Sequence, residues 1–196
     1  MRRVLILAVL VLGLARCSAS TNPTQFYLLD PAAGVPAAAS PGANGLNLRV
    51  GIRRVELPRY LERPQIVTRT SANRLEVAEF HQWGAPLRLT VPALLAENLS
   101  RLLPSEQVQV FPWGRAFAPD AQVVVEVSRF EGSLGGESVL VARWRILGRA
   151  GDDVGGGTSR FTKASGLDYD SLVAAQSHLF ASLSRDIAEG LRRSVK

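Results

Sequence analysis

Few side chains in this 196-residue chain could do chemistry: two histidines, His81 and His178, one cysteine, Cys17, and two close acidic pairs, Asp152-Asp153 and Asp168-x-Asp170. Neither histidine has a cysteine or a second histidine at ligand spacing, so no zinc site is expected. No serine lies in the Gly-x-Ser-x-Gly elbow that exposes a hydrolase nucleophile. Gly155-Gly156-Gly157 is followed by Thr158-Ser159-Arg160, where a phosphate-binding loop would need Gly-Lys-Ser/Thr and a helix. The acidic pairs have bland readings as well. Asp152-Asp153 suits a Gly-rich turn, and Asp168-x-Asp170 suits a helix start with Asp170 as its cap. No catalytic residue, metal or small-molecule cofactor is expected, which leaves a binding or structural protein.

Cys17 is the exception. A lone cysteine cannot close an intrachain disulfide. It stands directly after Arg2-Arg3 and the apolar run Val4–Ala15, a basic n-region and an h-region of export-signal length. The run is too short to cross a bilayer, which takes about 20 apolar residues. Leu14-Ala15-Arg16-Cys17 resembles a bacterial lipobox, departing from it at Arg16, where Gly, Ala or Ser is usual. In that reading residues 1–16 are a lipoprotein signal, and Cys17 carries diacylglycerol and an N-acyl chain. Residues 17–25 then form the lipidated start and its tether. Ser18, rather than Asp, after the cysteine implies sorting to the outer membrane. The alternative is cleavage after Ala19, giving a soluble periplasmic protein.

Composition is ordinary for a folded domain: 46% hydrophobic, 20% charged. Of the 23 basic residues, Arg2, Arg3 and Arg16 fall before Cys17, so the net charge drops from +6 to +3 on processing. The arginines form no run of five or more, so no nucleic acid is expected.

These residues need elements to position them. Phe26–Leu29 suits a strand, and residues 30–45, rich in Pro, Ala and Gly, suit a flexible loop. Residues 46–57 alternate as a half-buried strand that Pro58 ends, and 59–64 form a turn. Residues 65–70 and 74–80 form a hairpin, and His81-Gln82-Trp83 a connector. A helix capped by Thr90, with Pro92 in its first turn, ends at Pro104. A short strand spans 108–111. A stronger hairpin joins 121–134 to 138–148 through Gly135-Gly136, with Leu140, Ala142, Trp144 and Ile146 on one face. After a turn at Gly155–Gly157 comes a strand at 158–164. A closing helix to about Arg193 presents Leu172, Gln176, Leu179, Leu183, Ile187 and Leu191 as one stripe. The expected class is α+β: a twisted, mostly antiparallel β-sheet with two main helices on one face, as one domain over 26–196.

Leu48–Val67 (LRVGIRRVELPRYLERPQIV) resembles the ABC-type transport auxiliary lipoproteins, the PqiC/YmbA-like family. Tyr27-Leu28-Leu29, Trp83-x-x-Pro86-Leu87, Leu95-x-x-Asn98-Leu99, the hairpin around Phe130 and Trp144, and the closing helix extend the resemblance over nearly all of the mature chain. It implies a non-enzymatic outer-membrane lipoprotein. Its partners would be an MCE-domain protein of PqiB-like type and an inner-membrane transporter, which move lipid between membranes and preserve envelope integrity. A homo-oligomer fits that setting. The rival is a periplasmic carrier that binds lipid on its own. For partner docking, the residues singled out are Pro58, Tyr60, Leu61, Arg63, Pro64, Gln65 and Ile66, two prolines stiffening a loop that carries interface-prone Tyr and Arg. They have a plain alternative, that the loop merely folds over the sheet. Addition of a partner strand to a sheet edge is a second docking mode.

Overall fold

The computed structural model describes residues 22–31, 33, 48–103 and 107–194. The signal, Cys17, most of the 30–45 stretch and Pro104 lie outside the described residues. The elements are β1 (Gln25–Tyr27), β2 (Val50–Glu56), a 3₁₀ turn (Arg59–Leu61), β3 (Gln65–Ser71), β4 (Arg74–Trp83), α1 (Leu87–Leu102), β5 (Val108–Val110), β6 (Ala121–Gly132), β7 (Glu137–Gly148), β8 (Asp153–Ala164) and α2 (Tyr169–Ser194).

The eight strands form one sheet, and the fold is α+β. The long ladders are the antiparallel hairpins β3/β4, β6/β7 and β7/β8. Shorter parallel pairings complete the sheet: β1 on β4, β2 on β6, β5 on β2, and a single contact of β3 with β6 at Thr68 and Gly132. One edge of β6 therefore carries β2 along its first half and meets β3 at its end. That junction is where the turn at Arg59–Leu61 sits.

Alternation decides which face is covered. Val50 and Ile52 of β2, Val123 and Val125 of β6, and Leu140, Ala142, Trp144 and Ile146 of β7 are all buried. Arg143 and Arg145 face away and are exposed. Helix α2 lies on β6, β7 and β8, and α1 lies on β2, β5 and α2, so both helices cover the same apolar face. The stripe Leu172, Gln176, Leu179, Leu183, Ile187 and Leu191 is buried throughout.

Four local expectations change. Helix α1 starts at Leu87 after Pro86, one turn before Thr90, so Pro92 lies inside the helix. Leu87 and Val91, four residues apart and both buried, hold that extra turn on the core. His81-Gln82-Trp83 belongs to β4, paired with β1. Asp168, not Asp170, caps α2: its Oδ1 accepts from the Ser171 N–H at 2.7 Å and from the Ser171 hydroxyl at 2.6 Å.

The three glycines at 155–157 lie within β8, not in a turn. A Cβ on Gly156 would come within 2.7 Å of the Trp144 carbonyl oxygen, and one on Gly157 within 3.0 Å of the Trp144 ring. The glycines let β8 lie close against a large aromatic, which is why a turn-like composition folds as strand.

A candidate docking turn clamped by a buried carboxylate

Pro58 leads into the turn at φ −58° and ψ 139°, and its carbonyl accepts the Leu61 N–H at 2.9 Å. Arg59 accepts from the Glu62 N–H at 3.0 Å. At the exit the Pro64 carbonyl accepts the Trp83 N–H at 2.7 Å, which ties the turn to the end of β4. Leu61 and Ile66 are core residues, whereas Pro58, Tyr60 and Gln65 are half-buried, and Arg63 and Pro64 are exposed. The seven predicted positions are thus brought together on one turn and strand start. Two of them point inward.

What holds the turn is Glu131, which reading the sequence missed. It lies near the end of β6 with 0% of its surface exposed. Tyr60 donates its hydroxyl to Glu131 Oε2 at 2.5 Å, and the Phe130 N–H donates to the same oxygen at 3.1 Å. Oε1 accepts from Arg69 Nε at 2.7 Å and from Arg129 Nε and Nη2 at 2.9 and 2.7 Å. A buried carboxylate without partners would be strongly unfavourable, and this one is surrounded by donors. Burial pushes the Glu131 carboxyl up, but hydrogen bonds from Tyr60, Arg69 and Arg129 outweigh it and hold the group below its ordinary value. Burial and the acceptor role of Glu131 push the Tyr60 phenol well above its usual range.

The clamp joins three elements: the turn through Tyr60, β3 through Arg69, and β6 through Arg129 and Glu131. Arg69 extends it to the β3–β4 tip, donating to the Ala72 carbonyl at 2.8 Å. Glu131 escaped notice because β6 is bulged between Val127 and Arg129. Past the bulge the register is regular, so Phe130 faces the helices beside Leu140 while Glu131 points to the opposite face, where Tyr60, Arg69 and Arg129 bury it. Phe130-Glu131-Gly132, an acid between a core aromatic and a glycine, was the available signal.

The other chemistry-bearing residues are structural. His81 stacks on Tyr169 with ring centroids 3.9 Å apart, and its Nδ1 lies 2.8 Å from the Tyr27 hydroxyl. Asp120 accepts from Arg49 and Arg149, and the Arg49 side chain holds its carboxyl well below the usual range. Among the described residues no three His, Cys, Asp or Glu side chains are grouped to hold a metal, and no helix is long and apolar enough to cross a membrane.

The chain is 25% identical to the intermembrane transport lipoprotein PqiC of Escherichia coli (strain K12) over 193 residues, covering 96% of this chain and 97% of the relative. Its fold matches a crystallised uncharacterised protein with TM-score 0.68 at 24% identity, over 87% of this chain and 99% of the other. A Xanthomonas campestris protein matches with TM-score 0.69 at 15% identity, over 86% and 94%. The family model described as ABC-type transport auxiliary lipoprotein component matches residues 27–188. With that match over most of its length, the chain belongs to the ABC-type transport auxiliary lipoprotein family.

Proposed function

We propose that this chain is a lipoprotein held by acyl groups on Cys17 at the periplasmic face of the outer membrane. There it serves, without catalysing a reaction, as the auxiliary subunit of an MCE- and ABC-type system that moves lipid between the two membranes and supports envelope integrity. The observation that carries this reading is the family match over residues 27–188, which takes in β2 to β8, α1 and most of α2. The MCE-domain partner docks on the turn at Pro58–Pro64 and the start of β3, through Arg63, Pro64 and Gln65 with the half-buried Pro58 and Tyr60 beside them. Leu61 and Ile66 support that surface from the core. Because Glu131 already fixes the turn, little ordering entropy remains to be lost on binding.

Two experiments test the reading. Cys17→Ala should release the protein from the outer membrane; fractionation unchanged from the native chain would contradict the anchor. Crosslinking the tagged native protein in the envelope, followed by mass spectrometry, should recover an MCE-domain protein. Recovery of the bait alone, where known envelope complexes are captured, would contradict the subunit role and favour a self-contained lipid carrier.

A further inference from the structure

The helix-free face of the sheet carries a second feature, distant in sequence from the docking turn. Between β2, β6, β7 and the β5–β6 connection lies an open cleft of about 670 Å³, lined by Arg53, Arg54, Arg145, Val124, Phe111 and Trp113, with Gln122 and Leu147 completing it. The volume falls within the ~300–1,000 Å³ of ligand-sized sites.

The local backbone builds it. A bulge in β2 between Ile52 and Arg54 interrupts the pairing with β6, so Arg53 and Arg54 are both exposed beside the cleft. Trp113 packs against Gly51, where a Cβ would come within 2.8 Å of its ring. Phe111 stands edge-on to Trp113 at 5.3 Å and is 58% exposed. Arg54 pairs with Glu56, and Arg145 with Asp153 at 3.3 Å, both at exposed positions where such pairs are weak. Arg53 donates to Gln122 at 3.3 Å and has no carboxylate partner among the described residues. No acidic side chain lines the cleft itself.

We propose that this cleft binds the anionic headgroups of a phospholipid bilayer, with the arginines taking the phosphates and Phe111 and Trp113 entering the interface. Guanidinium forks match phosphate oxygens, and aromatic side chains favour the headgroup level. The occupant is a bilayer rather than an acidic protein because the exposed Phe111 and its partner Trp113 flank the arginines, and because the lipid anchor proposed above, on which the inference rests, keeps the domain beside headgroups. Cys17 is eight residues before Gln25, a span of at most about 29 Å, whereas a domain of this size is about 40 Å across. A lipidated chain would hold its surface against headgroups at high effective concentration.

The test uses the unanchored chain from Ser18 onward, which contains every described residue, so it is independent of whether Cys17 is lipidated. Cosedimentation with vesicles of phosphatidylcholine containing phosphatidylglycerol is compared with pure phosphatidylcholine. Binding should be at least about tenfold tighter to the anionic vesicles, and each of Arg53→Gln and Arg145→Gln should weaken it about fivefold. Thermal melts of both variants should match the parent, which separates lost binding from lost fold. Equal binding to both vesicle types, or anionic binding untouched by these substitutions, overturns the proposal. So does arginine-dependent binding of poly-glutamate without vesicle binding, which would point to an acidic protein segment instead.

Discussion

The Glu131 clamp and the arginine cleft use the same residue types for opposite ends. Both place guanidinium groups beside carboxylates, some on the same strand and some on a neighbouring one. At Glu131 the carboxylate is fully buried and accepts from Tyr60, Arg69, Arg129 and a backbone N–H. In the cleft, Arg54 and Arg145 meet Glu56 and Asp153 with roughly half or more of each side chain in solvent. Burial separates the two roles. A pair built on a buried carboxylate fixes geometry because removing its donors strands that charge, while a wholly exposed pair leaves its donors free for a partner.

The contrast can be broken from either side. Replacing Glu131 by Leu removes the shared acceptor of Tyr60, Arg69 and Arg129, whose guanidinium groups keep some contact with solvent, and should destabilise the fold by about 2–3 kcal/mol, read by urea unfolding. A loss below 1 kcal/mol would mean that the clamp does not hold the turn. The same carboxylate gives a pH signature. Its value is depressed below the ordinary 4.5, so the stability it contributes is present above 4.5 and is lost as pH falls through the lowered value. Tyr60 acts in the other direction: its raised value makes its contribution complete below pH 10 and lost as pH climbs above. Tyr60→Phe should weaken the alkaline limb, to which the raised Tyr27 and Tyr169 phenols also contribute, and reduce the acid one in the pH profile of unfolding.

On the cleft side, Gly51→Ala places a methyl group against the Trp113 ring and should cost about 1–3 kcal/mol while raising Trp113 off the sheet, visible as altered tryptophan fluorescence. The smallest effect belongs to the arginines. Arg53→Gln and Arg145→Gln should leave unfolding midpoints within about 0.5 kcal/mol of the parent. A larger loss would place these arginines among the groups that hold the fold.

Much of this architecture was readable from sequence, because hairpin turns and helix stripes are local signals. The alternation of Leu140, Ala142, Trp144 and Ile146 named the core face of β7, and the stripe from Leu172 to Leu191 named the buried side of α2. The parallel pairings were not readable. β2 lies on β6 across some 70 residues of chain, and nothing in either strand's pattern names the other. The clamp was hidden for a related reason: a one-residue bulge put Phe130 on the core face and Glu131 on the other, and the partners that bury it there, Tyr60 and Arg69, come from across that parallel junction. The turn at Pro58–Pro64 was legible from its prolines. The carboxylate holding it was not.

The central claim is that the clamped turn is the surface that meets the MCE-domain partner, and site-specific photocrosslinking in the envelope tests it most directly. A photoreactive residue at Arg63, exposed on the turn, is compared with one at Glu189, exposed on α2. A crosslink from position 63 to an MCE-domain protein, absent from position 189 and lost on Glu131→Leu in chain that remains folded, is the expected result. Equal crosslinking from both positions, or capture of that protein from 189 alone, would contradict it.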